Sequence, residues 1–515
     1  MLGAWLPTLL AVVLSIPWHL LTSAIKEIEP IYQSCSPDGV LAEDSIALNY
    51  KASSDVVAIA IAMKKRHYVV WWSGLGSLIT LVISPLASET VFLRLTGTCT
   101  ATSGRSACFP ELVVSPAPAR TLQLLLIFLT VLTFVLAITI FRRRNDVYSD
   151  PLSIAGLAAL FQQKCLTESF RRMKPYNSSL KDIQIALEGN YYIIGKYGMA
   201  DGADSYGLTI VHENVFPVEC EHRTSSLDGK KYTSVAVDCV EGHPFSAKRK
   251  ACSSKWLKSV LLVLFALFVL GLEVLVIYYN RVGGDTGFER FMDSNTFGVS
   301  FLFTAVGVSI KLCWTLLDEG KQAQDSMVLL SGSHFHLDLR TTEAYRQLSR
   351  GKAKATDSIL LNPNSNPFTG FFHSLTHRHL FNSYVSCVAI LCELLIVAVP
   401  NIPFRPGSVY IAYKVSTWIT VAVLSMMLTG IVWMLCSEKT PGMIKRPDTI
   451  ASVLLMLCGS HMLGDFSGMA MMSRSERDIV IRGWDKRYAM GSLVGVDGVE
   501  RESVDESKFI KTPLK

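Results

Sequence analysis

Long apolar runs that are nearly free of charge constrain the fold of this chain more than any other feature of its sequence. Two of them, TLQLLLIFLTVLTFVLAITIF at 121–141 and WLKSVLLVLFALFVLGLEVLVIYY at 256–279, are clear examples. Each reaches the ~20 residues that an α-helix needs to cross the ~30 Å hydrocarbon core of a bilayer. Only 18% of the 515 residues are charged, whereas soluble domains carry about 25%. The sequence therefore predicts an α-helical integral membrane protein.

Seven windows of this kind occur along the chain. They cover 4–24, 68–87, 121–141, 256–279, 296–317, 379–400 and 410–435. Pro7 and Pro17 interrupt the first window, which is also compatible with a cleaved signal peptide. We interpret it as a span because it lacks the basic region that precedes the apolar part of such a peptide.

Basic residues beside the windows predict the orientation. The clusters Lys64–Arg66, Arg142–Arg144 and Lys248–Lys250 fall on one side of the membrane, together with Lys439 and Lys445. Because Lys and Arg accumulate in cytoplasmic loops, we expect the amino terminus outside or in a lumen and the carboxy terminus in the cytoplasm. Which membrane is involved stays open. The same clusters account for the net charge of +6, so no nucleic-acid partner is expected.

The sequence also repeats itself. A shift of 296 positions aligns DPLSIAGLAALF at 150–161 with RPDTIASVLLML at 446–457, and the register continues without a gap to Asp201–Gly202 and Asp497–Gly498. In the first copy, Asp150 and Pro151 predict the start of a helix. In the second copy Arg446 stands at the position of Asp150, and it predicts a poorer helix cap. Ser179-x-x-Asp182 and Ser475-x-x-Asp478 predict the start of a second helix. Alternating segments after it predict a hairpin.

The repeat extends into the membrane, because KKRHYVV before the second window resembles THRHLFN before the sixth. We therefore predict a parallel duplication: about seven transmembrane helices with two small repeated cytoplasmic α+β modules. The division is 1–141 (first membrane unit, with cytoplasmic loop 25–67 and outer loop 88–120), 142–255 (first module), 256–295 (linking span and outer loop), 296–435 (second membrane unit, with cytoplasmic loop 318–378) and 436–515 (second module).

At these residues the chain resembles a family of fungal multi-spanning membrane proteins that carry paired modules of domain of unknown function 3433. The segments that match are SIPWHLLTSAIKEIEPIYQ, KKRHYVV, DPLSIAGLAALF and SYGLTIV. The resemblance implies a multi-pass protein without an assigned reaction, and it transfers no catalytic residue. Members of the family are longer than this chain. Where the first copy has its last strand the second has VERESVDESKF, so we expect the second module to be incomplete.

Four ionisable residues within the windows qualify as functional candidates, which such residues are by default. They are Glu273, Lys311, Glu393 and Lys414. By the helical rise Glu393 lies about 20 Å along its span, at the level of Lys414 and Glu273, so the positions allow a Glu393–Lys414 pair with Glu273 as a further member. Lys311 lies nearer the cytoplasmic edge, where it can snorkel. The pair is either a structural salt bridge or part of an ion or proton pathway, and a protonated carboxyl group is a further alternative.

Cysteine and histidine offer two weaker hypotheses. Cys99 and Cys108 lie in an outer loop, where an oxidising compartment permits a disulfide. Cys220, His222, Cys239 and His243 have the residue types of a zinc site, but their spacing fits no standard zinc motif. We expect no metal there and no cofactor elsewhere.

Nucleotide-binding, hydrolase and metalloprotease motifs are absent from the sequence. We therefore expect a non-enzymatic scaffold or organiser of membrane complexes, with the lipid bilayer and proteins bound at the cytoplasmic modules as partners. The alternative is a transporter or channel that uses the intramembrane charges. An enzyme acting on lipid ranks third.

Overall fold

The computed structural model describes most of the chain, and every structural statement below concerns these residues. They are 2–50, 53–97, 108–143, 147–148, 151–173, 183, 187–198, 204–211, 252–282, 287–292, 298–318, 343–361, 367–376, 380–403, 410–436 and 449–513.

A first helical bundle is formed by the amino-terminal part of the chain. Its helices are α1 (Leu2–Gln33), α2 (Asp55–Lys65), α3 (Tyr68–Ser88) and α4 (Pro116–Arg142). Between α3 and α4 lies a hairpin of β2 (Val91–Gly97) and β3 (Cys108–Val114). Trp18, Val70, Leu132 and other apolar side chains form the buried core of this bundle.

A second bundle contains α7 (Cys252–Val282), α8 (Gly287–Met292), α9 (Val299–Asp318), α11 (Pro367–Thr376), α12 (Leu380–Ala398) and α13 (Tyr410–Cys436). Its core includes Trp314, Val388 and Met427. The two bundles meet where Val12 of α1 packs with Val308 of α9 and Ile396 of α12.

Six of these helices are long and apolar enough to cross a membrane, judged by length and composition. The candidate spans within these helices begin at Trp5, Tyr68, Pro116, Leu262, Ser383 and Tyr410. The fifth predicted window falls on α9, whose apolar part, Val299–Thr315, is shorter. The described helices therefore support a mostly helical protein with six candidate membrane spans.

The remaining elements form a compact region that we call the sheet domain. Its helices are α5 (Ile154–Leu160), α6 (Lys164–Arg172), α10 (Glu343–Ser349), α14 (Ile450–Leu457) and α15 (Arg474–Gly483). Its strands are β1 (Val40–Leu41), β4 (Tyr191–Gly198), β5 (Asp204–Val211), β6 (Ala353–Lys354), β7 (Arg487–Val494), β8 (Glu500–Glu506) and β9 (Thr512–Pro513).

The strands make two similar antiparallel sheets. One has the order β1-β4-β5, and the other has the order β6-β7-β8 with β9 also on β7. Val40 lies opposite Tyr192 in the first sheet, and Ala353 lies opposite Tyr488 in the second. The short strands β1 and β6 come from loops that precede the bundle helices. Each sheet is therefore completed by a segment distant in sequence, which a module confined to 142–255 or 436–515 does not contain.

The strand expected to be missing from the second copy is present. Residues Glu500–Glu506 of VERESVDESKF pair along their whole length with β7, from Tyr488↔Glu506 to Val494↔Glu500. Ser503 and Asp505 on this strand are buried. The Ser503 hydroxyl donates to the carbonyl oxygen of Met456 in α14, and the Asp505 carboxylate accepts from the His461 amide, so this polar sequence forms a strand that packs inward.

Three predicted helix starts need correction. The side chain of Ser153, not Asp150, caps α5 by accepting from the Gly156 amide. Thr449 caps α14 in a capping box with Ser452, so the second copy has a good cap although Arg446 stands in place of Asp150. Ser473 and Glu476 form the capping box of α15. The N-cap is therefore Ser473, two residues before the predicted Ser475. Ser179 and Asp182 lie outside the described residues.

One apolar core runs through the whole sheet domain. Phe161 and Phe170 from the first copy and Leu457 and Phe466 from the second belong to the same buried cluster. The Ala155 amide at the start of α5 donates to the carbonyl oxygen of Ile359 at 3.1 Å, and the Ala451 amide at the start of α14 donates to that of Ile46 at 2.9 Å. The segments 142–255 and 436–515 thus contribute to a single body.

Candidate functional site

The candidate site lies where α1 leaves the first bundle and enters the sheet domain. This helix is continuous over 32 residues, about 48 Å by the helical rise, and its end carries Ile31 into the core of the sheet domain. Thr8, Ser15, Thr22 and Glu29 follow one another at every seventh position and are all buried. A polar stripe therefore runs along one face of α1 and ends at the junction.

A chain of polar contacts follows this stripe. Lys26 Nζ lies 2.5 Å from Asp55 Oδ1, and the other carboxylate oxygen of Asp55 accepts from the Ser77 hydroxyl at 2.6 Å. Ser77 Oγ also lies 3.0 Å from His19 Nδ1. The contacts join α1, α2 and α3, so an ion pair and two further polar side chains connect the first three helices.

A second ion pair ties α1 to the end of α4. Arg143 binds Glu29 with both of its terminal nitrogens, at 2.5 and 3.1 Å, and its guanidinium lies 4.2 Å from the centroid of the Tyr32 ring. Gln33 donates to the same carboxylate at 2.7 Å. Two parallel N–H···O bonds fix the orientation of both groups. Because Glu29 is only 2% exposed, loss of Arg143 would leave a buried charge without its counter-ion.

Tyr50 and His67 complete the junction as a neutral pair. Tyr50 Oη lies 2.7 Å from His67 Nδ1, and both side chains are buried. Burial raises the pKa of the Tyr50 hydroxyl, with the negative charges of Glu29 and Asp44 acting in the same direction. Burial lowers the pKa of His67 despite the opposing effect of those carboxylates. Both groups are therefore uncharged, and they share one buried hydrogen bond.

A cavity of about 120 Å³ opens beside Lys26 and Tyr50. Both copies line it in corresponding places, with Ile154 and Leu157 on one side and Ile450 and Val453 on the other. Its wall is mainly apolar, and its size is comparable to cavities that hold a benzene-sized molecule. The junction therefore combines paired charges with a small apolar chamber.

The charges predicted inside the spans find other partners than expected. Lys311 Nζ lies 2.6 Å from Glu393 Oε1, whereas Lys414 lies over the Tyr410 ring, 5.0 Å from its centroid. The predicted Glu393–Lys414 pair is therefore wrong. Glu273 accepts a hydrogen bond from the Ser425 hydroxyl at 2.5 Å and joins α7 to α13.

The register of two packed helices explains this error. Gly307 lies against Ile396 and Lys311 against Glu393, so α9 and α12 run antiparallel. From the Gly307 contact, Lys311 lies one turn further along α9 and Glu393 lies about one turn back along α12, so both residues are at nearly the same depth. Depths counted from the ends of the apolar windows did not give this register.

The cysteine and histidine hypotheses fall on residues that the structure does not describe. Cys99 lies outside the described residues, and of Cys108 only the backbone, in β3, is described. Cys220, His222, Cys239 and His243 all lie outside the described ranges.

Sequence reasoning missed the junction itself: His19, Lys26, Glu29, Asp55, Ser77, Tyr50 and His67 were assigned no role. The seven-residue spacing of Thr8, Ser15, Thr22 and Glu29 was a signal for it, because such spacing places polar groups on one helix face. The partner residues on α2 and α3 carry no comparable pattern, since their proximity arises from helix packing.

The fold and the junction define a mostly helical protein with six candidate membrane-spanning helices and a few small sheets. A family model described as "Protein of unknown function (DUF3433)" matches residues 1–92 and 326–404. The first segment contains α1, β1, α2 and α3, and the second contains α10, β6, α11 and α12. SIPWHLLTSAIKEIEPIYQ and KKRHYVV lie inside the match, whereas DPLSIAGLAALF and SYGLTIV lie outside it. No curated protein and no solved structure matches the chain.

Proposed function

We propose that this chain is a multi-pass membrane protein, duplicated in parallel, whose sheet domain lies in the cytoplasm and organises membrane protein complexes. Val40 lies opposite Tyr192 in the first sheet, and Ala353 lies opposite Tyr488 in the second. This equivalent strand pairing supports the duplication. The shared core supports a parallel arrangement, because residues that pack in one apolar core cannot lie on opposite sides of a bilayer. The basic clusters at Lys64–Arg66 and Arg142–Arg144 support the cytoplasmic side.

The observation that carries the scaffold proposal is the reciprocal pair of bonds Ala155→Ile359 and Ala451→Ile46. Each copy supplies the acceptor for a helix start of the other, so neither half of the sheet domain is complete without its counterpart. A body joined in this way holds its outer surfaces at a fixed distance. Such rigidity suits a platform that positions partners.

The junction supports the same role. Lys26–Asp55 and Glu29–Arg143 connect α1 to the other helices of its bundle while α1 itself continues into the sheet domain. A displacement of the sheet domain would therefore break buried ion pairs in the bundle. The platform is fixed to the membrane part by this helix.

Cross-linking of the full-length protein in native membranes tests the scaffold. Lys196 on β4 and Lys508 after β8 are exposed and carry amines on the two sheets. We expect an amine-reactive reagent to join the same partner proteins to both lysines in near-stoichiometric amounts, and the Glu393→Gln variant to retain those partners. Cross-links confined to the chain itself would contradict the scaffold.

A transporter or channel is the second candidate, and the Lys311–Glu393 pair favours it. Glu393 lies in the candidate span on α12, and Lys311 lies in the shorter apolar helix α9. Charges inside membrane spans often mark ion and proton pathways. In proteoliposomes, Glu393→Gln would then abolish an ion or proton flux while the fold persists, and Lys414→Met would leave the flux unchanged. Equal behaviour of the two variants would remove this candidate.

A further inference from the structure

Two short helices stand at the entrance to candidate spans. The helix α2 ends at Lys65, and α3 begins at Tyr68. The helix α11 ends at Thr376, and α12 begins at Leu380. At 11 and 10 residues they are far below the ~20 residues required to cross a bilayer. If α3 and α12 cross the membrane, α2 and α11 do not cross it with them. The start of α2 lies beside α3, because Asp55 accepts a hydrogen bond from Ser77.

Both helices bury a face of small residues. In α2, Ala58 and Ala62 are fully buried. In α11 the corresponding residues are Gly370 and Ser374, again four positions apart and buried. Each helix packs against the span that follows it, and small side chains let the two backbones approach closely. The opposite face of each helix therefore points away from the bundle.

That opposite face is apolar and exposed in both helices. On α2, Val56 is 62% and Met63 is 59% exposed, with Ala60 between them. On α11, Phe372 is 64% exposed and lies between the exposed Phe368 and Leu375. The spacing is i, i+4, i+7 in both helices, which places the three side chains on one stripe. We call these two sets the apolar stripes.

Basic and aromatic residues flank the first stripe. Lys64 and Arg66 are exposed at the end of α2, and Trp71 and Trp72 stand in contact at the start of α3, with ring centroids 4.2 Å apart. An apolar helix face bordered by Lys and Arg is typical of helices that lie in the bilayer interface. Tryptophan is enriched at the same level.

We propose that α2 and α11, packed beside α3 and α12, turn their apolar stripes toward the lipid of one leaflet near the boundary between headgroups and acyl chains, so that lipid is their partner. The inference rests on the proposal that the chain spans a membrane. Each stripe ends within a few residues of the candidate span on α3 or α12. This proximity to a span favours lipid, rather than water or a second protein, as the partner of the stripes.

The junction gives this contact a mechanical connection. Asp55, the first residue of α2, binds Lys26 of α1 and Ser77 of α3. The depth at which α2 sits in the leaflet is therefore coupled to α1, which enters the sheet domain.

Photo-cross-linking in proteoliposomes of the full-length protein tests the proposal. One phospholipid probe carries a diazirine near the glycerol, and a second carries it at the end of an acyl chain. Mass spectrometry then locates the adducts. We expect the shallow probe to label Val56, Met63, Phe368, Phe372 and Leu375, and the deep probe to label these residues much less. The helix α4, whose Phe128 and Phe134 are exposed, is the internal control for the deep probe.

The outcomes separate the two proposals. Labelling of α4 by the deep probe without labelling of α2 and α11 by the shallow probe would overturn the present inference alone. Absence of labelling on α4 as well would overturn the membrane-spanning proposal. Cross-links from the apolar stripes to another protein in native membranes, without lipid adducts, would assign the stripes to a protein interface and also overturn the inference.

Discussion

The amide of Ala155 donates a hydrogen bond to the carbonyl oxygen of Ile359 at 3.1 Å. Ala155 is the second residue of α5, and the first amides of a helix have no partner within that helix. Here the partner comes from the segment after β6, some two hundred residues away in sequence, and Ala451 is bonded to Ile46 in the same manner. This pair of bonds joins the two copies into one domain.

Hydrogen exchange tests these bonds directly. We predict slow exchange of the Ala155 and Ala451 amides, because each is bonded and fully buried. Ser475 occupies the same second position of α15 but is exposed, so its amide should exchange rapidly. Amide-resolved mass spectrometry of the protein in nanodiscs provides the comparison. Exchange of Ala155 as fast as that of Ser475 would contradict the reciprocal bonds.

Removal of the Asp55 carboxylate should destabilise the first bundle. In Asp55→Ala the Lys26 ammonium, 2% exposed in the native pair, loses its counter-ion, and such a loss costs about 3–5 kcal/mol. Asp44→Ala is the matched control, since its pair with Lys65 is partly exposed and worth about 0–1 kcal/mol. Thermal unfolding in detergent should rank the two variants in this order. Equal losses would refute a buried ion pair at the junction.

Acid should weaken the fold through His67. Burial lowers its pKa below 6.5, so the unfolded chain takes up a proton at a higher pH than the folded chain. Stability is then fully present above pH 6.5 and falls as the pH drops from 6.5 toward the folded pKa. His67→Gln, which cannot titrate there, should lose less thermal stability on acidification than the wild type. Identical pH profiles for the two proteins would rule out this contribution.

The Lys311–Glu393 pair predicts non-additive effects. Lys311→Met leaves the Glu393 carboxyl group in a largely buried place, whereas the double variant Lys311→Met/Glu393→Leu removes both charged groups. Since an uncompensated buried charge costs more than an absent pair, the double variant should be the more stable. Lys414→Met should change little, because its ammonium is exposed. A Lys414→Met effect as large as that of Lys311→Met would restore the pairing expected from the sequence.

The positions of the long helices were predictable, because each segment must by itself be apolar and long enough to cross a bilayer. The strands β1 and β6 were not predictable, since two residues give no period and their pairing with Tyr192 and Tyr488 is long-range. The end of α1 was not predictable either. Its apolar window ends at Ala24, whereas the helix continues to Gln33. Its last turns are polar on one side, and they are held by Arg143 rather than by lipid.

The candidate site was less predictable than the fold. Each charge could be read from the sequence, but its partner depends on how helices pack and in which register, as Lys311 and Glu393 illustrate. The helix caps show the same limit on a smaller scale. Ser153 and Thr449 lie only three positions after Asp150 and Arg446, and local sequence alone did not distinguish between them.

The proposal that both sheets lie on one side of the membrane is tested most directly by labelling in sealed vesicles. Lys196 on β4 and Arg487 on β7 are exposed, so Lys196→Cys and Arg487→Cys present one added thiol on each sheet, and the wild-type chain gives the background. A membrane-impermeant maleimide should reach both added thiols from the same side. Reaction of the two from opposite sides would contradict the shared core and the parallel duplication.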